Sequence, residues 1–254
     1  MNKYVSFISD EDFLDAVEFV VKSYIVENSV KMIEDELKHG KNTTDFIKLI
    51  FDVYTKQISL QGWLDSEINR QKDKSRNNKI GEFHQKVLGK VPGWQDLKIG
   101  SPYGVDLKND DNTVFIELKN KFNTLNSSSS LATMLKLENI IHEHPNAKAY
   151  ICYIVEKKYK SKDKIWHVKE NRENSDGSKV TIDHCNENIK LVSGYKVYEL
   201  VTGDRTALKQ VYEALPLAIN DVLKNKYDLP DFKLSKSDQE ILDSYGDYVF
   251  NYDD

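Results

Sequence analysis

At 254 residues and 29.4 kDa the chain is long enough for one sizeable domain, or a domain with an appended subdomain. Hydrophobic residues make up 39% and charged residues 30%, which suits a globular protein, and no apolar run approaches the roughly 18–20 residues that cross a bilayer. The N-terminus, MNKYVSFISDEDF, has neither a basic nor an apolar leader region, and Cys152 and Cys185 are too few for a disulfide framework and lack zinc-ligand spacing. A reduced, cytoplasmic protein with no membrane segment is expected.

The formal charge of −5 speaks against a nucleic-acid partner only until its distribution is examined. Residues 70–90 hold seven Lys/Arg against two Asp/Glu, a local net of +5. Residues 156–179 hold eight against five, a net of +3. Residues 1–50 net −4 (six basic, ten acidic), and residues 227–254 net −6 (two basic, eight acidic). A phosphate-binding face needs a local basic field, not a basic whole protein.

In chain order, residues 10–37 read as a helix. Ser9 or Asp10 caps it, Phe13, Val17, Val20, Val21 and Tyr24 recur at helical spacing, and Gly40 stops it. Thr43 or Thr44 opens a second helix over 45–57, and a third covers 60–70 or beyond. A further helix is expected over 75–87, a turn at Val91-Pro-Gly-Trp94, and a short strand over 95–99. Strands at 105–107 and from Val114 to Lys121 flank Asn109-Asp110-Asp111-Asn112, whose residue types suit a hairpin loop. Residues 127–142 read as a helix with Leu131, Met134, Leu135, Leu137, Ile140 and Ile141 as its stripe. Residues 147–155 read as a buried strand of a mixed sheet. Residues 156–183 read as irregular and basic. A strand over 194–200, a helix over 207–223 interrupted by Pro216, and a short helix over 237–245 complete the chain. This divides it into a helical part, 1–70, and an α/β part, 71–254. No repeat, glycine-rich phosphate loop or low-complexity linker is present.

The chemistry concentrates in the hairpin. From Val114 to Lys121 the residues alternate: Val114, Ile116 and Leu118 point one way, Glu117, Lys119 and Lys121 the other. The hairpin returns Glu117 and Lys119 to Asp106. Two carboxylates and a lysine gathered there can hold a divalent metal and activate a water.

Asp106 with Glu117-x-Lys119 resembles the active-site signature of the PD-(D/E)xK nuclease superfamily. The wider block is Asn78-Lys-Ile-Gly-Glu-Phe-His-Gln85, Gly104-Val-Asp106, Phe115-Ile-Glu-Leu-Lys-Asn-Lys121 and Asn123-Thr-Leu-Asn126. It resembles the type II restriction endonucleases that cut GGNCC-type sites. Pro102 stands four residues before Asp106, so the proline–aspartate pair is split.

The resemblance implies an αβββαβ restriction-endonuclease-like core, a central mixed β-sheet flanked by helices, within 71–254. It implies Mg²⁺ bound by Asp106, Glu117 and the Leu118 carbonyl, and Lys119 orienting or activating the attacking water. Glu82 is its candidate for a further acidic residue, against the alternative of a solvated helix acid. DNA contacts are expected from Asn120, Lys121, Asn123, Thr124 and Asn126, residue types that read base edges, with strand-end or helix capping as the alternative for each. His84 and Gln85 join the expected DNA-binding set, His84 being open between a phosphate contact and a structural role. A palindromic double-stranded DNA target requires a homodimer, and a cognate DNA methyltransferase is expected in the same system. Products with 5′-phosphate ends are implied too. Two other histories remain: a structure-specific repair or junction-resolving nuclease, and a non-catalytic DNA-binding module on the same fold. A thiol or metal centre of Cys152, Cys185 and His184 is the weakest rival, since Cys152 sits in an apolar strand.

Overall fold

The computed structural model describes residues 2–25, 37–38, 44–98, 100–173 and 176–251. They separate into two units, Phe19–Ile80 and a larger one made of Met1–Glu18 with Gly81–Asp254. Residues 1–18 therefore group with the sheet and not with the other N-terminal helices.

Helix α1 (Asp10–Ile25) begins as expected: Ser9 Oγ accepts from the Asp12 N–H at 3.1 Å. The predicted stretch 26–36 and the Gly40 stop lie outside the described residues. Helix α2 (Phe46–Lys56) is capped by Asp45, not Thr44, and Thr43 lies outside the described residues. Asp45 Oδ1 accepts from the N–H groups of Ile47 and Lys48 at 3.0 Å each. A carboxylate at this position satisfies two orphan donors and places negative charge at the positive end of the helix.

Helix α3 (Leu60–Leu88) joins the two segments expected at 60–70 and 75–87 into 29 residues. The run between them has no apolar periodicity to announce a helix. It also has no proline or glycine, and Glu67–Arg70 and Asp73–Arg76 pair at i,i+3.

The larger unit is built on a six-stranded mixed sheet. Its spatial order is β1 (Trp94–Asp96), β2 (Leu107–Asn109), β3 (Val114–Lys121), β4 (Lys148–Val155), β6 (Lys179–Ser193), β5 (Asp163–Glu173). β1, β2 and β3 are antiparallel, β3, β4 and β6 parallel, and β5 antiparallel to β6. The parallel step from β3 to β4 needs a crossover, which helix α4 (Ser127–Glu143) supplies. The order α3, β1–β3, α4, β4 is the expected αβββαβ core, an α/β fold with a central mixed sheet flanked by helices.

Register with β4 places Phe115, Glu117 and Lys119 on the same face as Ala149, Ile151 and Tyr153. Met134, Leu137, Ile140 and Ile141 of α4 pack there against Phe115, Ala149 and Ile151, in one cluster with Trp166, Val168, Ile189 and Leu191. Leu135, expected in the stripe, is exposed. Ile116, Leu118 and Cys152 on the other face are buried as well. Alternation along β3 implied one covered face, but both are covered.

Four further expectations are corrected. The basic stretch 156–183 is mostly the β5–β6 hairpin, with a 3₁₀ turn at Lys157–Tyr159. Only Trp166 and Val168 of β5 are buried, so ladder pairing, which no local signal reports, makes the strand. Residues expected as a strand at 194–200 form helix α5 (Gly194–Thr202). Tyr and Val suggested a strand, but Tyr195, Tyr198 and Val201 repeat at i, i+3, i+6 and are buried together. Helix α6 (Ala207–Tyr227) runs through Pro216 without interruption, and α7 (Lys236–Phe250) is longer than 237–245. Val211, Ala214, Ala218 and Val222 bury on both sides of Pro216, and that packing outweighs the missing N–H.

Candidate active site

Asp106 stands immediately before β2 and is held from three directions. Its N–H donates to Ile116 O at 3.0 Å, and its carbonyl accepts from Leu97 N–H at 2.8 Å and Gln85 Nε2 at 3.2 Å. Its Oδ2 accepts the Leu118 N–H at 2.6 Å, so the carboxylate caps the edge of β3 that the short strand β2 leaves uncovered. In a ladder, a residue's N–H and C=O point to the same neighbouring strand. The Leu118 carbonyl therefore faces the same edge as the Asp106 carboxylate.

Glu117 comes from the α4-facing side of β3 and is only 6% exposed. Its Oε1 accepts from Lys119 Nζ at 2.5 Å and its Oε2 from Lys136 Nζ at 2.7 Å. Lys136 projects from α4 and also donates to Gly104 O at 2.6 Å. Gly104 has φ +62, and a Cβ there would stand 3.3 Å from Lys136 Cδ. A left-handed turn without a side chain thus brings its carbonyl onto the ammonium.

Burial first, and then the negative charge of Glu117, push the Asp106 carboxyl up to about 6, against the lowering pull of the Leu118 N–H and of Lys119 and Lys136. Burial thus leaves the Asp106 carboxylate poorly solvated. A divalent cation beside it would favour the charged form, and the donors are carboxylate and carbonyl oxygens, as Mg²⁺ or Ca²⁺ prefer. The residues fit such an ion.

Sequence reasoning assembled Asp106, Glu117 and Lys119 and missed Lys136. Its signal was faint: a single lysine spaced 3 and 4 residues from Thr133 and Ile140, on the buried arc of α4. Glu82 is exposed on α3. A Cβ at its neighbour Gly81 would stand 3.7 Å from Asn120 Cβ, so this turn of α3 lies against the C-terminal end of β3.

Two residues expected at DNA are engaged inside the protein. His84 is buried, its Nδ1 2.8 Å from Tyr198 Oη, and burial pushes it down to about 4. A neutral, enclosed imidazole offers nothing to a phosphate. Gln85 Nε2 donates to Asp96 Oδ1 at 2.6 Å as well as to Asp106 O, so it braces α3 against the segment that carries Asp106.

Asn126 caps α4, accepting the Ser129 N–H at 2.9 Å while its own N–H donates to Ser129 Oγ at 2.9 Å. Thr124 Oγ1 closes the preceding turn on Lys121 O at 2.6 Å. Asn120, Lys121 and Asn123 lie at the end of β3 and in the loop after it, half-buried or exposed. Cys152 pairs with Val192, seven residues from Cys185 along β6 and so on the order of 20 Å away. His184 Nε2 instead meets Glu170 Oε2 at 2.8 Å, and these three residues form no centre.

Residues 5–224 match the family model described as "Eco47II restriction endonuclease". The chain is 34% identical over 226 residues to the type II restriction enzyme Sau96I of Staphylococcus aureus, covering 89% of this chain and 83% of that one. It is 31% identical over 243 residues to the type II restriction enzyme Eco47II of Escherichia coli, covering 93% and 95% respectively.

Proposed function

The chain belongs to the Eco47II restriction endonuclease family and is a type II site-specific deoxyribonuclease acting on double-stranded DNA, and we propose that its target is a short palindromic GGNCC-type site cut with Mg²⁺. The observation that carries the mechanism is the convergence of Asp106, Glu117, Lys119 and Lys136 at the edge of β3.

Asp106, Glu117 and the Leu118 carbonyl are the residues to hold the ion. A bound Mg²⁺ supplies charge stabilisation at the scissile phosphate and a water of lowered pKa. Lys119, partnered by Glu117, presents its ammonium to the attacking water and to the charge that develops on the phosphoryl oxygens. Lys136 holds Glu117 Oε2 and Gly104 O together, fixing the carboxylate and the turn before Asp106 in one geometry. Lys119 and Lys136 each take one lone pair of a Glu117 oxygen, which leaves a lone pair on each oxygen that would be open to an ion.

Glu82 is the proposed third acidic residue. Asn120, Lys121, Asn123 and Thr124 are the proposed DNA contacts, with Lys or Arg suited to guanine and Asn to adenine. The products carry 5′-phosphate ends. Two-fold symmetry of the target calls for a homodimer, a methyltransferase of the same specificity protects the host DNA, and the enzyme works in the cytoplasm. Among the described residues no helix is long and apolar enough to cross a membrane.

A digest of a plasmid of known sequence, with Mg²⁺ and with EDTA, tests this beside Lys119→Ala. Sharp Mg²⁺-dependent fragments mapping to GGNCC, or to its A/T-restricted subset, and lost in Lys119→Ala are expected. A smear would replace sequence specificity with structure-guided cutting. Retention of DNA in a gel shift without any cutting in Mg²⁺ or Mn²⁺ would leave only a binding module.

A further inference from the structure

The outer strands of the sheet carry a group of side chains that the nuclease chemistry does not use. In the β5–β6 ladder His167 pairs with Cys185, and Asp183 lies two residues before Cys185, on the same strand face. His167 Nδ1 is 2.9 Å from Asp183 Oδ2, and one ligand atom from each of the three lies within 4.8 Å of the others. All three are exposed, while Trp166 and Val168, on the opposite face of β5, are anchored in the core. The backbone that presents them is thus held by pairing and packing. Their register follows an irregularity in the ladder between Ile165 and His167.

We propose that His167, Asp183 and Cys185 form a second cation site, selective for Zn²⁺ or a related borderline transition ion. Nitrogen and sulfur donors with one carboxylate suit such an ion, whereas Mg²⁺ takes oxygen donors. Three protein ligands leave the fourth position to water. On binding, the Cys185 S–H bond breaks, its proton passes to solvent, and a sulfur–metal bond forms. Thiolate and carboxylate together neutralise the divalent charge, and no redox change is involved. The ion clamps β5 to β6 beside the irregular step of their ladder.

Cobalt(II) titration of the whole protein, read by the near-ultraviolet thiolate-to-cobalt band, tests the site. The chain has two cysteines, and Cys152 is buried within β4, so a thiolate band reports Cys185. One cobalt per chain with that band, displaced by Zn²⁺ and abolished in Cys185→Ser, is expected. His167→Gln shifts the titration about tenfold or more toward higher cobalt. No band in cobalt excess, or the same band in Cys185→Ser, overturns the proposal. The Asp106–Glu117 site takes cobalt through oxygen alone and gives no thiolate band, so failure here and failure of the nuclease reading are distinguishable.

Discussion

Asp106→Asn should stabilise the metal-free protein while abolishing cleavage, because the native carboxylate is held where its charge is unwelcome. The environment moves this group from its ordinary 3.8 up to about 6, chiefly through burial. A raised carboxyl binds its proton more tightly in the folded than in the unfolded chain. The resulting contribution to stability is fully present below about pH 4, falls as pH rises, and is gone above about pH 6. At about 1.4 kcal/mol per pH unit, ionised Asp106 costs the apo fold up to about 3 kcal/mol at pH 7.5. Asparagine retains an oxygen to accept the Leu118 N–H and carries no charge.

Urea unfolding of both proteins in EDTA, followed by the fluorescence of Trp63, Trp94 and Trp166, measures the difference at pH 4, 5, 6 and 7.5. The variant should gain up to about 3 kcal/mol at pH 7.5, progressively less toward pH 5, and almost nothing at pH 4. Since only the difference is read, the titration of His84 cancels. A gain that does not vary with pH, or a loss at pH 7.5, would refute the electrostatic account of the site.

Lys136→Met should lower kcat by about 10²–10³ while leaving the fold intact, measured as single-turnover cleavage of a plasmid beside an unfolding curve. Tyr198→Phe leaves buried His84 Nδ1 without its partner and should cost about 1–3 kcal/mol in urea unfolding, with Mg²⁺-dependent cleavage retained at low temperature. Gly194→Ala places a Cβ 2.4 Å from Ile154 O, and a fall in thermal midpoint equivalent to about 1–3 kcal/mol or more is expected. Asn126→Ala removes the α4 cap at a cost of about 1 kcal/mol; if it also changed the cleaved sequence, the residue would be reading DNA after all.

What the sequence by itself determined about this protein is what short spacings encode. Alternation in β3, the turn residues at 109–112 and the reach of a hairpin were enough to bring Asp106 to Glu117 and Lys119, because all three lie within fourteen residues. The caps and stripes of α1 and α4 were equally local. Tertiary structure decided everything that depends on partners distant in the chain. Lys136 reaches Glu117 only because α4 crosses back over β3, and its neighbours in sequence do not mark it. His84 was open between a phosphate contact and a structural role and Gln85 was expected at DNA, and Tyr198 and Asp96, 114 and 11 residues away, take them. The β5–β6 hairpin carries few apolar residues and exists through ladder hydrogen bonds, while α5 is helical because Tyr195, Tyr198 and Val201 share one buried side. Local propensity is worth tenths of a kcal/mol per residue, whereas burying one such side chain is worth about 2, so packing prevails wherever the two disagree.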